Sequence, residues 1–155
     1  MRSAAPKPYL HMPADLYHEA ILDHYRHPRG RGTLADPDAQ ATKTNALCGE
    51  SMRVDVTLDD DRIRDVRFED DACAFARASA SMMTDLVRGR SRTEIAEFIT
   101  RLRRFVTANP AEPDDPALGP LAALGLIRRT PARVSCVLLA WETLDQALAH
   151  TLMHR

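Results

Sequence analysis

Cysteine is scarce in this chain: three residues among 155. Secreted disulfide scaffolds carry a dense and even set, so a stapled extracellular fold is excluded. The thiols are expected to be free or metal-bound, and the cytoplasm is the compartment that suits them. Long hydrophobic runs are also missing. No apolar stretch approaches the roughly 20 residues that span a bilayer, so no membrane partner is expected. Met1–Met12 carries a few basic residues but no apolar core, so no secretory signal is read there. Residues 1–13 are expected to be a flexible N-terminal tail. An excess of charge of one sign is the third absence. Lys and Arg number 21 against 22 Asp and Glu, a formal net charge of −1, which gives no overall field for nucleic acid. What remains is ordinary: 45% apolar and 28% charged residues fit one globular domain over residues 14–155, large enough to bury a core unaided.

Apolar periodicity orders the chain. Leu16, Ala20, Ile21, His24 and Tyr25 recur at helical spacing, which predicts an amphipathic helix over about 14–26, ended by His27-Pro28-Arg29-Gly30. Residues 33–47 read as irregular or strand-like. Met52, Val54, Val56 and Leu58 alternate with polar residues, the pattern of a half-buried strand. Asp59-Asp60-Asp61 is a turn, and Arg62–Glu69 is the antiparallel partner. The apolar parity slips between Ile63 and Val66, which predicts a bulge. A helix follows Cys73 and runs to about Arg88, closed by Gly89. Ser91-Arg92-Thr93-Glu94 is a capping box opening a helix to about Thr107. Asn109–Pro116 is too rich in proline for a helix or central strand. Leu118–Ile127 suits a short helical turn. Thr130-Pro131 then reads as N-cap and first position of a last helix, to about His150. The fold class is α+β, a small antiparallel sheet with helices packed on one face.

Each cysteine stands at a loop tip or helix start. Cys48 lies in Leu47-Cys48-Gly49-Glu50, where glycine lets the backbone turn sharply. Cys73 precedes a helix, whose unpaired N–H groups and dipole favour a thiolate. Cys136 follows Pro131-Ala132-Arg133-Val134-Ser135, with Arg133 three residues before it. Three sulfurs and the Glu50 carboxylate would complete a four-ligand site. The cysteines are 25 and 63 positions apart, too far for a zinc knuckle or a Cys-x-x-Cys redox pair. Only tertiary folding could unite them, and burial as small hydrophobes is the competing reading.

These contexts resemble the iron–sulfur scaffold family of IscU, SufU and the N-terminal domain of NifU. The resemblance covers about residues 16–150. It rests on Ile21-Leu22-Asp23-His24-Tyr25 with Pro28-Arg29, on Cys48-Gly49-Glu50 where the family has Cys-Gly-Asp, on Cys73 with Ala78-Ser79-Ala80-Ser81-Met82-Met83, and on Pro131–Cys136. The long separation of Cys73 from Cys136 is similar to the SufU branch, which carries an insertion there. The Leu-Pro-Pro-Val-Lys motif by which IscU proteins engage a chaperone is missing.

The resemblance implies a sulfur acceptor in iron–sulfur cluster biogenesis. A cysteine desulfurase of SufS type would deliver persulfide sulfur to Cys48, and the product would pass to downstream cluster assembly or acceptor proteins. Cys48, Glu50, Cys73 and Cys136 would hold zinc, or alternatively iron or a [2Fe–2S] cluster if the chain is a scaffold proper. A purely structural zinc domain or adaptor is a third reading. Whether the chain is an enzyme, a zinc-dependent sulfurtransferase, or a non-enzymatic scaffold stays open at this point. Three departures stand out: Glu50 for the family's Asp, Ala72 where glycine is common, and Ser135 where IscU proteins have histidine and SufU proteins a basic residue. His24 and His27 read as packing or surface residues, Trp141 and Met82-Met83 as core. Arg101, Arg103 and Arg104 read as a solvated helix face.

Overall fold

The computed structural model describes residues 14–46 and 49–153, with side chains described from Glu19 to Thr151. Cys48 and the expected tail over 1–13 therefore lie outside the described residues. Helix α1 spans Ala14–Arg26, strands β1, β2 and β3 span Ala39–Asn45, Glu50–Asp59 and Arg62–Asp71, and helices α2, α3 and α4 span Ala74–Val87, Arg92–Val106 and Val134–Met153. The sheet is antiparallel in the order β1-β2-β3.

Alternation puts one face of the sheet into the core. Ala39 and Ala41 of β1, Met52, Val54 and Val56 of β2, and Ile63, Val66 and Phe68 of β3 are all buried. The expected parity slip is present. Thr57 pairs with Asp65 but Leu58 pairs with Ile63, so Arg64 is the extra residue of a bulge. Helix α4 lies against β1 and β2, α2 meets β3, and α1 packs on α2, so the helices gather on one face of the sheet. Each fully buried large side chain among them contributes on the order of 1.5–3 kcal/mol.

The outer edge of β3 is not bare. Gly32 N–H donates to Phe68 O and Phe68 N–H to Gly30 O, at 2.8 and 2.9 Å. Gly30 has φ +74, and a Cβ there would lie 2.6 Å from Thr84, so only glycine lets this loop cross α2 so closely.

The small residues of α2 set the approach of its neighbours. Ala76, Ala78, Ser79, Ala80 and Ser81 are completely buried. Ser79 Oγ donates to Val137 O and accepts from Trp141 Nε1, at 2.8 and 3.1 Å, pinning α2 to the start of α4. On the other side Ser81 Oγ bonds His24 Nδ1 and accepts from Arg29 N–H, both at 2.8 Å. His24 is a packing residue, as its helical position suggested, and Trp141 is core, stacked on Phe98 with ring centroids 5.3 Å apart.

Two expectations for the later chain need correction. The turn expected over Leu118–Ile127 is a longer 3-10 segment, Pro116–Arg129, kinked at Gly119. Thr130 gives no side-chain cap to the last helix, because a separate 3-10 turn, Pro131–Arg133, precedes α4. No helix among the described residues is long and apolar enough to cross a membrane.

Candidate metal centre

Three elements converge at one end of the sheet. Glu50 is the first residue of β2, Cys73 the N-cap of α2, and Cys136 the third residue of α4. One ligand atom from each lies within 4.8 Å of the others. Glu50 and Cys136 are buried, and Cys73 is half-buried.

Local chemistry explains each placement. Asn45 pairs with Glu50 across β1 and β2, and Gly49 N–H donates to Asn45 O at 2.8 Å, with Gly49 at φ +67. This bond holds Gly49 against the end of β1. Pro131, at the first position of its 3-10 turn, sets the chain into α4 so that Cys136 points inward and is 0% exposed. Asn45 Nδ2 donates to Ser135 Oγ at 3.0 Å, which ties the end of β1 to the start of α4. Sequence reading noticed Ser135 only as a missing ligand. Its partner is 90 residues away, and no local signal reveals such a bond.

The Glu50 carboxylate is unevenly used. Oε2 accepts the Cys73 backbone N–H at 2.7 Å, while Oε1 is buried with no hydrogen-bond partner. Burial pushes the Glu50 pKa up, but the Cys73 thiol and N–H, the Cys136 thiol and the Arg133 charge outweigh it and hold the carboxyl below its ordinary value. The Cys136 thiol shifts strongly the other way, raised first by burial and then by the Glu50 carboxylate and Cys73 beside it. The cysteines in turn raise the Arg133 pKa, and the Arg133 guanidinium lies 5.8 Å from the centre of the Phe75 ring.

These residues fit a soft, tetrahedral cation. A zinc site of sulfur and oxygen ligands sets its donor atoms about 3.5–4 Å apart, which the cluster, with its ligand atoms within 4.8 Å of one another, accommodates with little movement. An orphaned buried carboxylate oxygen costs on the order of 1–3 kcal/mol, and a cation relieves it. A positive charge would also reverse the penalty on the Cys136 thiolate. Among the expected ligands, Glu50, Cys73 and Cys136 are brought together, and Cys48 lies outside the described residues. The basic cluster is tied to its own chain: Arg101 pairs with Asp115, and Arg103 with Glu142 at 3.4 Å.

Comparison with known proteins agrees with this geometry. Residues 16–115 match the model of the NifU-like N terminal domain. The zinc-dependent sulfurtransferase SufU of Bacillus subtilis is 34% identical over 134 residues, 86% of this chain and 90% of SufU. The iron–sulfur cluster assembly scaffold protein IscU of Streptococcus pyogenes is 33% identical, over 86% of this chain and 82% of its own. Among solved structures, the NifU-like N-terminal protein of Brucella abortus superimposes with a TM-score of 0.81 at 26% identity, over 91% of this chain and 97% of that one. A putative cluster assembly scaffold of the SUF system from Fervidobacterium islandicum gives 0.77 at 26% identity, covering 92% and 99%. The chain belongs to the NifU-like N-terminal domain family, as an iron–sulfur cluster assembly protein of SufU/IscU type.

Proposed function

We propose that this protein binds zinc through Cys48, Glu50, Cys73 and Cys136 and accepts sulfur from a cysteine desulfurase in the cytoplasm, relaying it to cluster assembly. The observation that carries this reading is the convergence of Glu50, Cys73 and Cys136 within 4.8 Å, with one buried carboxylate oxygen left unpartnered. Cys48, two residues before Glu50 in the sequence, is the fourth ligand and the acceptor. Its thiolate attacks the outer sulfur of the desulfurase persulfide. A sulfur–sulfur bond to Cys48 forms, the bond to the desulfurase cysteine breaks, and that cysteine leaves as a thiolate, with no net oxidation or reduction. Zinc, when bound, supplies the positive charge that keeps the thiols deprotonated and shielded until transfer.

Metal analysis of the purified protein is expected to give about one zinc per chain. Adding the protein to a desulfurase of its own organism is expected to stimulate cysteine turnover, and Cys48→Ala is expected to abolish that stimulation. Full stimulation by Cys48→Ala removes the transfer role. A cluster scaffold on the same residues is the second reading, supported by the IscU relatives. Anaerobic reconstitution with iron, sulfide and desulfurase separates the two through visible absorbance.

A further inference from the structure

Helices α2 and α3 begin differently. Helix α3 caps itself: Ser91 Oγ accepts the Glu94 N–H, and the Glu94 carboxylate accepts the Ser91 N–H, at 3.2 and 2.8 Å. Helix α2 has neither half of this box. Its N-cap, Cys73, makes no side-chain cap bond, and Ala76 stands where the glutamate would be. The Cys73 N–H is nonetheless satisfied, by Glu50 Oε2 from the neighbouring strand.

We propose that the Glu50 carboxylate is shared between two tasks. Oε2 caps α2 at the Cys73 N–H, and Oε1 is the single oxygen offered to the metal. The inference rests on the metal reading above and adds how the carboxylate is divided. Three observations support it. Oε1 is buried and unpartnered while Oε2 is engaged. The ligand atoms of Glu50, Cys73 and Cys136 already lie within 4.8 Å of one another. A carboxylate at a helix N-terminus is favoured by the helix dipole whether or not metal is present.

Two consequences follow for this chain. The carboxylate ligates through one oxygen, which suits a four-coordinate cation and not the higher coordination that bidentate carboxylates support. The length of glutamate also serves this chain, because the strand-borne side chain reaches the Cys73 N–H while leaving its second oxygen among the sulfurs. Aspartate, one methylene shorter, is expected to give up one of the two contacts from the same backbone position.

The test measures Cys73 amide hydrogen exchange by NMR in zinc-free and zinc-loaded protein, and zinc affinity by chelator competition. In the wild type the amide is expected to be protected in both states. Glu50→Gln is expected to keep protection in the zinc-free protein, since its amide oxygen still accepts the N–H, and to weaken zinc binding by about tenfold or more. Glu50→Asp is expected to lose about tenfold in zinc affinity and to exchange severalfold faster at Cys73. Faster Cys73 exchange in the wild type on zinc loading overturns the sharing, because the oxygen would then leave the cap to reach the metal; this arm needs no variant. Zinc affinity of Glu50→Asp equal to wild type overturns the length argument. A wild type that binds no zinc overturns the metal reading and with it the ligand half, while protection of the Cys73 amide identifies the cap as purely structural.

Discussion

Strand β2 carries two buried carboxylates, Glu50 at its start and Asp55 in its middle, and they are treated in opposite ways. Asp55 is 1% exposed and surrounded. Its Oδ1 accepts from Arg53 Nε at 3.0 Å, and its Oδ2 accepts the Leu34 N–H at 3.0 Å and Arg53 Nη2 at 3.3 Å. Glu50, 6% exposed, has one oxygen satisfied and the other without a partner. Both pKa values are pushed up by burial and then brought below the ordinary value, Asp55 chiefly by Arg53 and the Leu34 N–H, Glu50 by cysteines, a backbone N–H and Arg133. A satisfied buried carboxylate contributes to the fold. One left half-satisfied beside two thiols has an oxygen to spare for a further partner.

The contrast is sharpest in substitution. Asp55→Asn is expected to lower stability by about 1–3 kcal/mol at neutral pH, since it breaks charged hydrogen bonds and leaves donors unmatched, with zinc affinity unchanged. Denaturant unfolding and chelator competition check the two halves. Because folding lowers the Asp55 pKa, its contribution is complete above the unfolded-state value of about 3.9 and is lost as pH falls through the lower folded-state value. The gap in midpoint between wild type and Asp55→Asn is therefore expected to close in that acid interval; a constant gap contradicts the assignment. Arg53→Met is expected to lower the unfolding midpoint by less than Asp55→Asn, because the guanidinium is 40% exposed and screened by solvent. Glu50→Gln is expected to shift the stability of zinc-free protein least, by under about 0.5 kcal/mol in either direction, since removing a buried charge offsets weakening its bond to Cys73. A large loss there would make Glu50 a second Asp55.

Much of the fold was legible because its signals are local. The alternation of Met52, Val54 and Val56, the slip at Arg64 and the Ser91–Glu94 box each lie within a few residues and appear where expected. Strand β1 was faint because its inward positions are Ala39 and Ala41, too small to give an apolar pattern. The pairing of residues 30–32 with β3 and the 3-10 turn before α4 depend on what the chain meets in space. The site divides in the same way. Spacing alone could not unite Cys73 with Cys136, and family resemblance supplied that step. The Cys73 N–H bond to Glu50 and the Asn45–Ser135 link were invisible, since each joins residues from different elements.

The loop over residues 30–32 has one more effect. A free rim on a sheet offers its backbone to any extended chain that drifts past, and is a common start for runaway association. Here that rim of β3 is already taken by the chain's own Gly30 and Gly32, held down because α2 leaves room for nothing larger than hydrogen at position 30. The backbone of β3 at Phe68 is thus closed to an incoming strand, at the opposite edge of the sheet from β1.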